Sequence, residues 1–301
     1  FINLNIDSFG ISEKRSSTIV DHWIDFKFNE TVVKVNKSFE EFRFDLATKA
    51  IYEFIWYELC DWFIELNKID LNEEGSKKSE INRSMVDVLE KTLRLAHPLM
   101  PFITEDIWQQ LKKYNCSKEK SITISSYPIE SKELSDSGFN TIEWLKEVVS
   151  GIRNIRGELS LKPSIQMPCI FKNGSDKEKG FLEEVEMYIV KLSGLKEITW
   201  THNESDSPPS SIFTKENLKV LIPLEGLIDA KEESERIAKK ISKLAKEKEM
   251  LEAKLSNKKF TENAPSELVS NQKDRFSVLE TELDSLNNQV LELKKLIEGN
   301  Q

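Results

Sequence analysis

SFEEFRFDLATKAIYEFIWYELCDWFIELNKI, residues 38–69, decides the fold. Its apolar residues Phe39, Phe42, Leu46, Ile51, Phe54, Ile55, Leu59, Trp62, Phe63 and Leu66 fall three or four apart almost throughout, the spacing of one face of a helix. A helix this long with a single apolar stripe is stable in water only if other helices cover that stripe. The flanking sequence supplies them. Upstream, a helical pattern opens at Ser17-Thr18, carries Val20, Trp23, Ile24 and Phe28, and runs through Val32, Val33 and Val35 to a break expected near Asn36. Downstream, a Gly75-Ser76-Lys77 turn leads into a third helix, Ile81 to Ala96, which stops at His97-Pro98 because a residue before proline is pushed out of helical geometry. Pro101 suits the first turn of a fourth helix carrying ITEDIWQQL, residues 103–111. Four helices with short links predict a bundle.

After Pro128 the pattern changes. Residues 139–159 read as another amphipathic helix through Ile142, Leu145, Val148, Val149, Ile152 and Ile155. Three short β-like runs follow, at Ile165–Phe171, Glu197–Thr201 and Leu218–Pro223. A helix over Glu178–Leu192 separates the first two, and a polar loop, Asn203–Ser211, contains Pro208-Pro209. This predicts a small α/β module. From Ile237 the steps alternate four and three through Ile241, Leu244, Lys248, Leu251 and Leu255, a coiled-coil seam with one lysine in it. KKFTENAPSE, residues 258–267, interrupts the seam, with Asn263-Ala264-Pro265 reading as a helix cap and start. A second seam then runs through Val269, Gln272, Phe276, Leu279, Leu283, Leu286, Val290, Leu293 and Ile297. Two such helices joined by a short link run antiparallel, and at about 1.5 Å per residue they form an arm on the order of 40 Å long.

The arm's helices differ in charge. Residues 231–259 hold ten Lys/Arg against six Glu, and residues 260–301 hold four against eight acidic residues. Interhelical pairing accounts for such a split. Outward lysines such as Lys239, Lys243 and Lys246 facing a polyanion account for it equally well.

Composition bounds the rest. With 301 residues the chain is long enough for two compact domains and an appendage. No run approaches 18 consecutive apolar residues, and no basic-then-apolar leader opens it. Cys60, Cys116 and Cys169 stand far apart without a C-x-x-C pair, which argues against a disulfide framework or a zinc knuckle and fits a reducing cytosol. A net charge of −9 disfavours a polyanion partner on average, although affinity for RNA follows local basic patches. The opening FINLNI at Phe1, without an initiator Met, reads as a piece of something longer.

Four stretches then acquire a family. FRFDLATKAIYEFIWYELCDWFIEL (42–66), LAHPLMPFITEDIW (95–108), IRNIRGELSLKP (152–163) and KLSNKKFTENAPSELV (254–269) stand in the order of the C-terminal half of class I valyl-tRNA synthetases, which the chain resembles over nearly all of residues 17–301. The resemblance implies a mainly α fold. Residues 1–135 become an anticodon-binding helical bundle, with 1–16 as a lead-in from a catalytic core, 136–228 a small α/β junction module, and 229–301 an antiparallel coiled-coil tRNA-binding arm. It implies the tRNA for valine as partner, no membrane or DNA partner, a monomer, and a cytoplasmic location. It also implies a full-length ligase that attaches valine to its tRNA with ATP and magnesium. The HIGH and KMSKS motifs do not occur here, and EKRSS at Glu13–Ser17 is the nearest string. No catalytic residue, cofactor or metal is therefore expected in this chain. Relatives specific for isoleucine or leucine end differently, in a cysteine-ligated zinc module or a globular domain.

Within that frame the candidate RNA contacts are Arg43, set among Phe39, Phe42 and Phe44; Arg153 and Arg156, three apart on one helix face and followed by Lys162; Lys239, Lys243 and Lys246 on the arm; and Lys258 and Lys259 at its tip. For the arginine pair the competing reading is an ion pair with Glu158. Trp56, Trp62, Trp108 and the phenylalanines read mostly as core, with a minority as stacking platforms for splayed bases. His97 reads as part of a helix–helix corner and the cysteines as small buried hydrophobes. Without the motifs, a coiled-coil scaffold for another protein would fit the heptads as well.

Overall fold

A computed structural model describes residues 2–114, 117–132, 138–201, 208–225 and 230–256, then 272, 275–280, 283, 286–287 and 290. The chain divides into two compact units, one of residues 1–147 and 181–191, the other of residues 148–180 and 192–301.

The first unit is the helical bundle. Its elements are α1 (Ile2–Phe9), α2 (Ile19–Glu40), α3 (Phe44–Glu53), a π-helical stretch (Phe54–Phe63), α4 (Ile64–Asn72), α5 (Lys78–Ala96), α6 (Pro101–Leu111) and the start of α7 (Phe139–Glu158). Helix α2 starts on a capping box: the Thr18 hydroxyl accepts from the Asp21 amide at 3.2 Å, and the Asp21 carboxylate accepts from the Thr18 amide at 2.9 Å. Trp23, Ile24, Phe63, Leu66, Met85 and Leu95 fill the interior. Trp108 is fully buried, and its indole N–H has a partner, Glu90 Oε1 at 2.9 Å, as a buried tryptophan requires. Residues 2–9, read from sequence as a mixed lead-in, form α1, and its Ile6 packs with Val86, Leu93, Trp108, Leu111, Tyr114 and Ile122.

Two local departures from the sequence reading matter. The break expected near Asn36 lies at Glu41–Arg43, so Phe39 ends α2 and does not begin the next helix. The end is a Schellman turn, with the Arg43 amide donating to the Ser38 carbonyl at 2.7 Å and the Phe42 amide to the Phe39 carbonyl at 3.1 Å. Phe42 occupies its left-handed position at φ 57°, where glycine is the usual residue. The long helix is also not uniformly α: from Phe54 to Phe63 it is π-helical, and Phe54, Leu59 and Phe63 are the side chains buried there. A π stretch of this length is rare, and π-helical turns are frequent at functional sites.

The second unit contains a four-stranded sheet in the order β2-β1-β4-β3, from β1 (Met167–Lys172), β2 (Leu195–Thr201), β3 (Ser210–Lys215) and β4 (Leu218–Pro223). Strands β1 and β2 are parallel, joined through α8 (Asp176–Ser193), and the other pairings are antiparallel. The sequence reading missed β3, whose first residues it placed in a polar loop. This strand is an edge with Ile212 exposed, and it reaches β4 through a two-residue turn in which Glu216, not Gly or Asn, takes positive φ. Its Phe213 ring lies so close to Gly151 of α7 that a side chain there would collide with it.

The arm begins with α9 (Ala230–Ser256). Leu251 of α9 and Leu279 and Leu286 of the facing segment are buried. The seam lysine is accommodated because Lys248 Nζ reaches Glu280 at 2.9 Å and stands 5.2 Å from the Phe276 ring, while Arg275 pairs with Glu247 at 2.9 Å. Contacts between residues 247–248 and 275–280 require the chain to reverse direction, as the two seams predicted. The Asn263-Ala264-Pro265 cap lies outside the described residues.

Candidate nucleic-acid interface

Two turns of the bundle meet through the segment after α6. The Phe39 ring lies 5.8 Å from Phe44 and 6.5 Å from Tyr127, and Tyr127 donates to the Leu95 carbonyl at 3.0 Å. His97 is the corner expected of it, with Nδ1 2.7 Å from the Thr104 hydroxyl and Nε2 3.2 Å from that of Thr123. The α2–α3 turn and the α5–α6 corner therefore share one end of the bundle, and that end is apolar: Phe42 is 79% exposed and Phe102 91%, with Phe44, Met100, Ile103 and Ile124 also exposed. A soluble surface rarely leaves several large apolar side chains together in water without a partner for them. Arg43 stands in the same turn. Its guanidinium forks onto Asp45 at 2.9 and 2.7 Å, and this pairing holds the Asp45 carboxyl down to about 2.

The π-helical stretch adds a second aromatic strip. Tyr52 and Trp56 stack with centroids 6.1 Å apart and planes 7° from parallel, Tyr57 meets Tyr52 edge-on at 6.4 Å, and all three are exposed. The core reading holds for Trp108 and not for Trp56. Nor does the buried-hydrophobe reading hold for Cys60, which is exposed, whereas Cys169 is buried and its thiol is pushed far up by desolvation. Cys116 lies outside the described residues.

On α7, both arginines reach backbone carbonyls. Arg153 Nε donates to the Leu192 carbonyl at 3.1 Å, near the end of α8. Arg156 Nη2 donates to the carbonyls of Lys162, Pro163 and Ile165. Hydrogen bonds from a charged donor contribute about 1.5–3 kcal/mol each, so these guanidiniums are strongly engaged inside the protein. Lys162 is exposed in the loop that Arg156 holds, with no acidic partner among the described residues. On α9, Lys239, Lys243 and Lys246 are exposed at helical spacing and likewise unpaired among the described residues. Lys258 and Lys259 lie outside them.

Among the described residues no group of three or more His, Cys, Asp or Glu converges as metal ligands, and no helix is long and apolar enough to cross a membrane.

Comparison with known proteins gives this surface a context. Residues 21–170 match the family model described as the anticodon-binding domain of tRNA ligase, and residues 229–294 match that of the valyl tRNA synthetase tRNA binding arm. The valine–tRNA ligase of Francisella tularensis is 34% identical over 282 residues, 92% of this chain. The chain belongs to the valyl-tRNA synthetase family. The family's valine–tRNA ligases from Psychrobacter arcticus, 34% identical over 92% of the chain, and Legionella pneumophila, 35% identical over 88%, align comparably. The chain spans about 30% of the length of these curated relatives. The candidate residues that the sequence reading assigned mostly to core are Phe42, Phe44 and Phe102, all exposed. The signal that could have found them is position: each stands at or beside the start or end of a helix.

Proposed function

We propose that this chain is the tRNA-binding part of a valine–tRNA ligase, recognising the anticodon with the bundle and the tRNA body with the arm. What carries the reading is the ordered match of an anticodon-binding domain and a tRNA-binding arm on one chain. The whole enzyme would attach valine to its tRNA using ATP and magnesium, as a cytoplasmic monomer, with catalysis performed outside these residues. Unpaired anticodon bases stack on aromatic side chains, and Phe42, Phe44 and Phe102 offer such faces beside the Arg43 cation. Lys239, Lys243 and Lys246, with Lys258 and Lys259 of the tip, supply contacts to phosphate that carry no sequence information. Together these divide the work: the bundle discriminates and the arm adds affinity. Binding energy remote from the reacting ester then serves to position the acceptor end.

A gel-shift series with the valine tRNA and anticodon variants tests this. Expected is salt-sensitive binding that anticodon changes weaken, with Phe42→Ala and Phe102→Ala erasing the difference between cognate and variant anticodons. Salt-independent binding, or indifference to tRNA with retention of a protein partner instead, overturns it in favour of a coiled-coil scaffold.

A further inference from the structure

The loop following α7 is built around one side chain. Beyond Glu158 the chain buries Leu159, passes through Ser160 at φ 51°, and turns back so that the Leu161 amide donates to the Arg156 carbonyl at 3.0 Å and the Ile165 amide to the Lys162 carbonyl at 3.0 Å. The Arg156 guanidinium sits inside this turn, where Nη2 donates to three backbone carbonyls, those of Lys162, Pro163 and Ile165. Gly194, at φ 63°, lies against the same guanidinium, so closely that an added Cβ would stand 3.3 Å from Nη1. One turn earlier, Arg153 donates to the carbonyl of Leu192, two residues before that glycine. A carbonyl cup closed on a planar cation is a rigid object. Lys162 rides on it, exposed and without an acidic partner among the described residues.

We propose that Arg156 is a positioning residue that fixes the 159–165 loop so that Lys162 makes one phosphate contact with bound tRNA, Arg156 itself making none. The inference rests on the tRNA-binding reading above. An arginine whose Nη2 is held by carbonyls and whose Nη1 is buried cannot also fork onto a phosphate, whereas a lysine ammonium on a short rigid loop meets phosphate as a point charge with little freedom left to lose. Lysine cannot substitute for Arg156, because its ammonium ends one bond short of the Nη2 position from which the three carbonyls are reached.

The test uses the full chain and the valine tRNA, with affinity measured across a salt series. Lys162→Ala is expected to weaken binding severalfold at low salt and to flatten the slope of log K against log salt by roughly 0.7–0.9, the loss of one phosphate contact. Arg156→Lys is expected to give the same flattening, and the double variant no more than either single one. Amide hydrogen exchange at 161 and 165 should quicken in Arg156→Lys and not in Lys162→Ala, which reads the positioning step without RNA. A slope change of twice that size in the double variant would mean that Arg156 touches phosphate itself and would overturn the inference. So would an unchanged slope in Lys162→Ala while Phe42→Ala still abolishes anticodon discrimination, and that outcome leaves the functional reading intact. Failure of the unaltered chain to bind tRNA at all would remove both.

Discussion

At Phe42, stability and the proposed function pull in opposite directions. A side chain with a Cβ in the left-handed region costs about 1–2 kcal/mol, and glycine at that position of a Schellman turn avoids the cost. The Phe42 ring gains almost no burial in return, being 79% exposed. Phe42→Gly is therefore expected to raise the denaturation midpoint, by about 1 kcal/mol in stability, while weakening anticodon-dependent tRNA binding. Chemical denaturation alongside gel shifts would show whether the two move in opposite directions. Asp70 gives a second residue-scale expectation. Burial pushes its carboxyl up from 3.8 to about 6, although Tyr188 donates a hydrogen bond to it at 2.8 Å. A carboxyl with a raised folded pKa binds its proton more tightly in the folded state than in the unfolded chain. The Asp70 contribution to stability is thus full below pH about 4 and is lost as pH rises toward about 6. Asp70→Asn should flatten that part of the stability–pH curve, and an unaltered curve in the variant would show that Asp70 is not the titrating group.

At the scale of elements, the arm depends on a few seam contacts over a long lever. Lys248 sits where a coiled coil normally places an apolar side chain, and it is tolerated because Glu280 and the Phe276 ring receive it. Lys248→Glu should unzip the arm, seen as lost helical circular dichroism, and Glu280→Lys added to it should restore the signal. Additive damage in the pair would show that the charges do not meet. Most elements here were legible because periodicity is a local property: the bundle helices from α2 onward, α7, α8 and α9 follow from spacing alone. The illegible ones lack that signal. Strand β3 is a polar edge with an unconventional turn, and the π stretch differs from an α-helix in which carbonyl accepts each amide, a difference that no pattern of apolar residues declares. Exposure of Phe42 and Phe102 was hidden for a related reason: a phenylalanine looks like core until the fold shows that nothing lies over it.

For the whole molecule, net charge and the proposed RNA affinity are reconciled by distribution. A chain carrying −9 overall places Lys239, Lys243 and Lys246, unpaired among the described residues, on one helix of the arm, while the charges flanking the exposed Phe42 include the Arg43–Asp45 and Lys37–Glu41 pairs. Removing residues 229–301 is therefore expected to weaken binding of cognate and anticodon-altered tRNAs by the same factor and to flatten the salt dependence, while their ratio stays fixed. A changed ratio in competition binding would place some discrimination in the arm. The π-helical stretch carries one more consequence. Each residue there advances through a smaller angle than in an α-helix, so over Phe54–Phe63 the helix falls progressively out of phase with itself. The face that α3 turns outward and the face that α4 turns inward are thereby set by a count of residues, as the teeth of a gear set the orientation of a shaft. Insertion or deletion of one residue in this stretch would rotate everything beyond it and leave each helix intact, which makes it the place where relatives could re-aim one side of the bundle without redesigning either half.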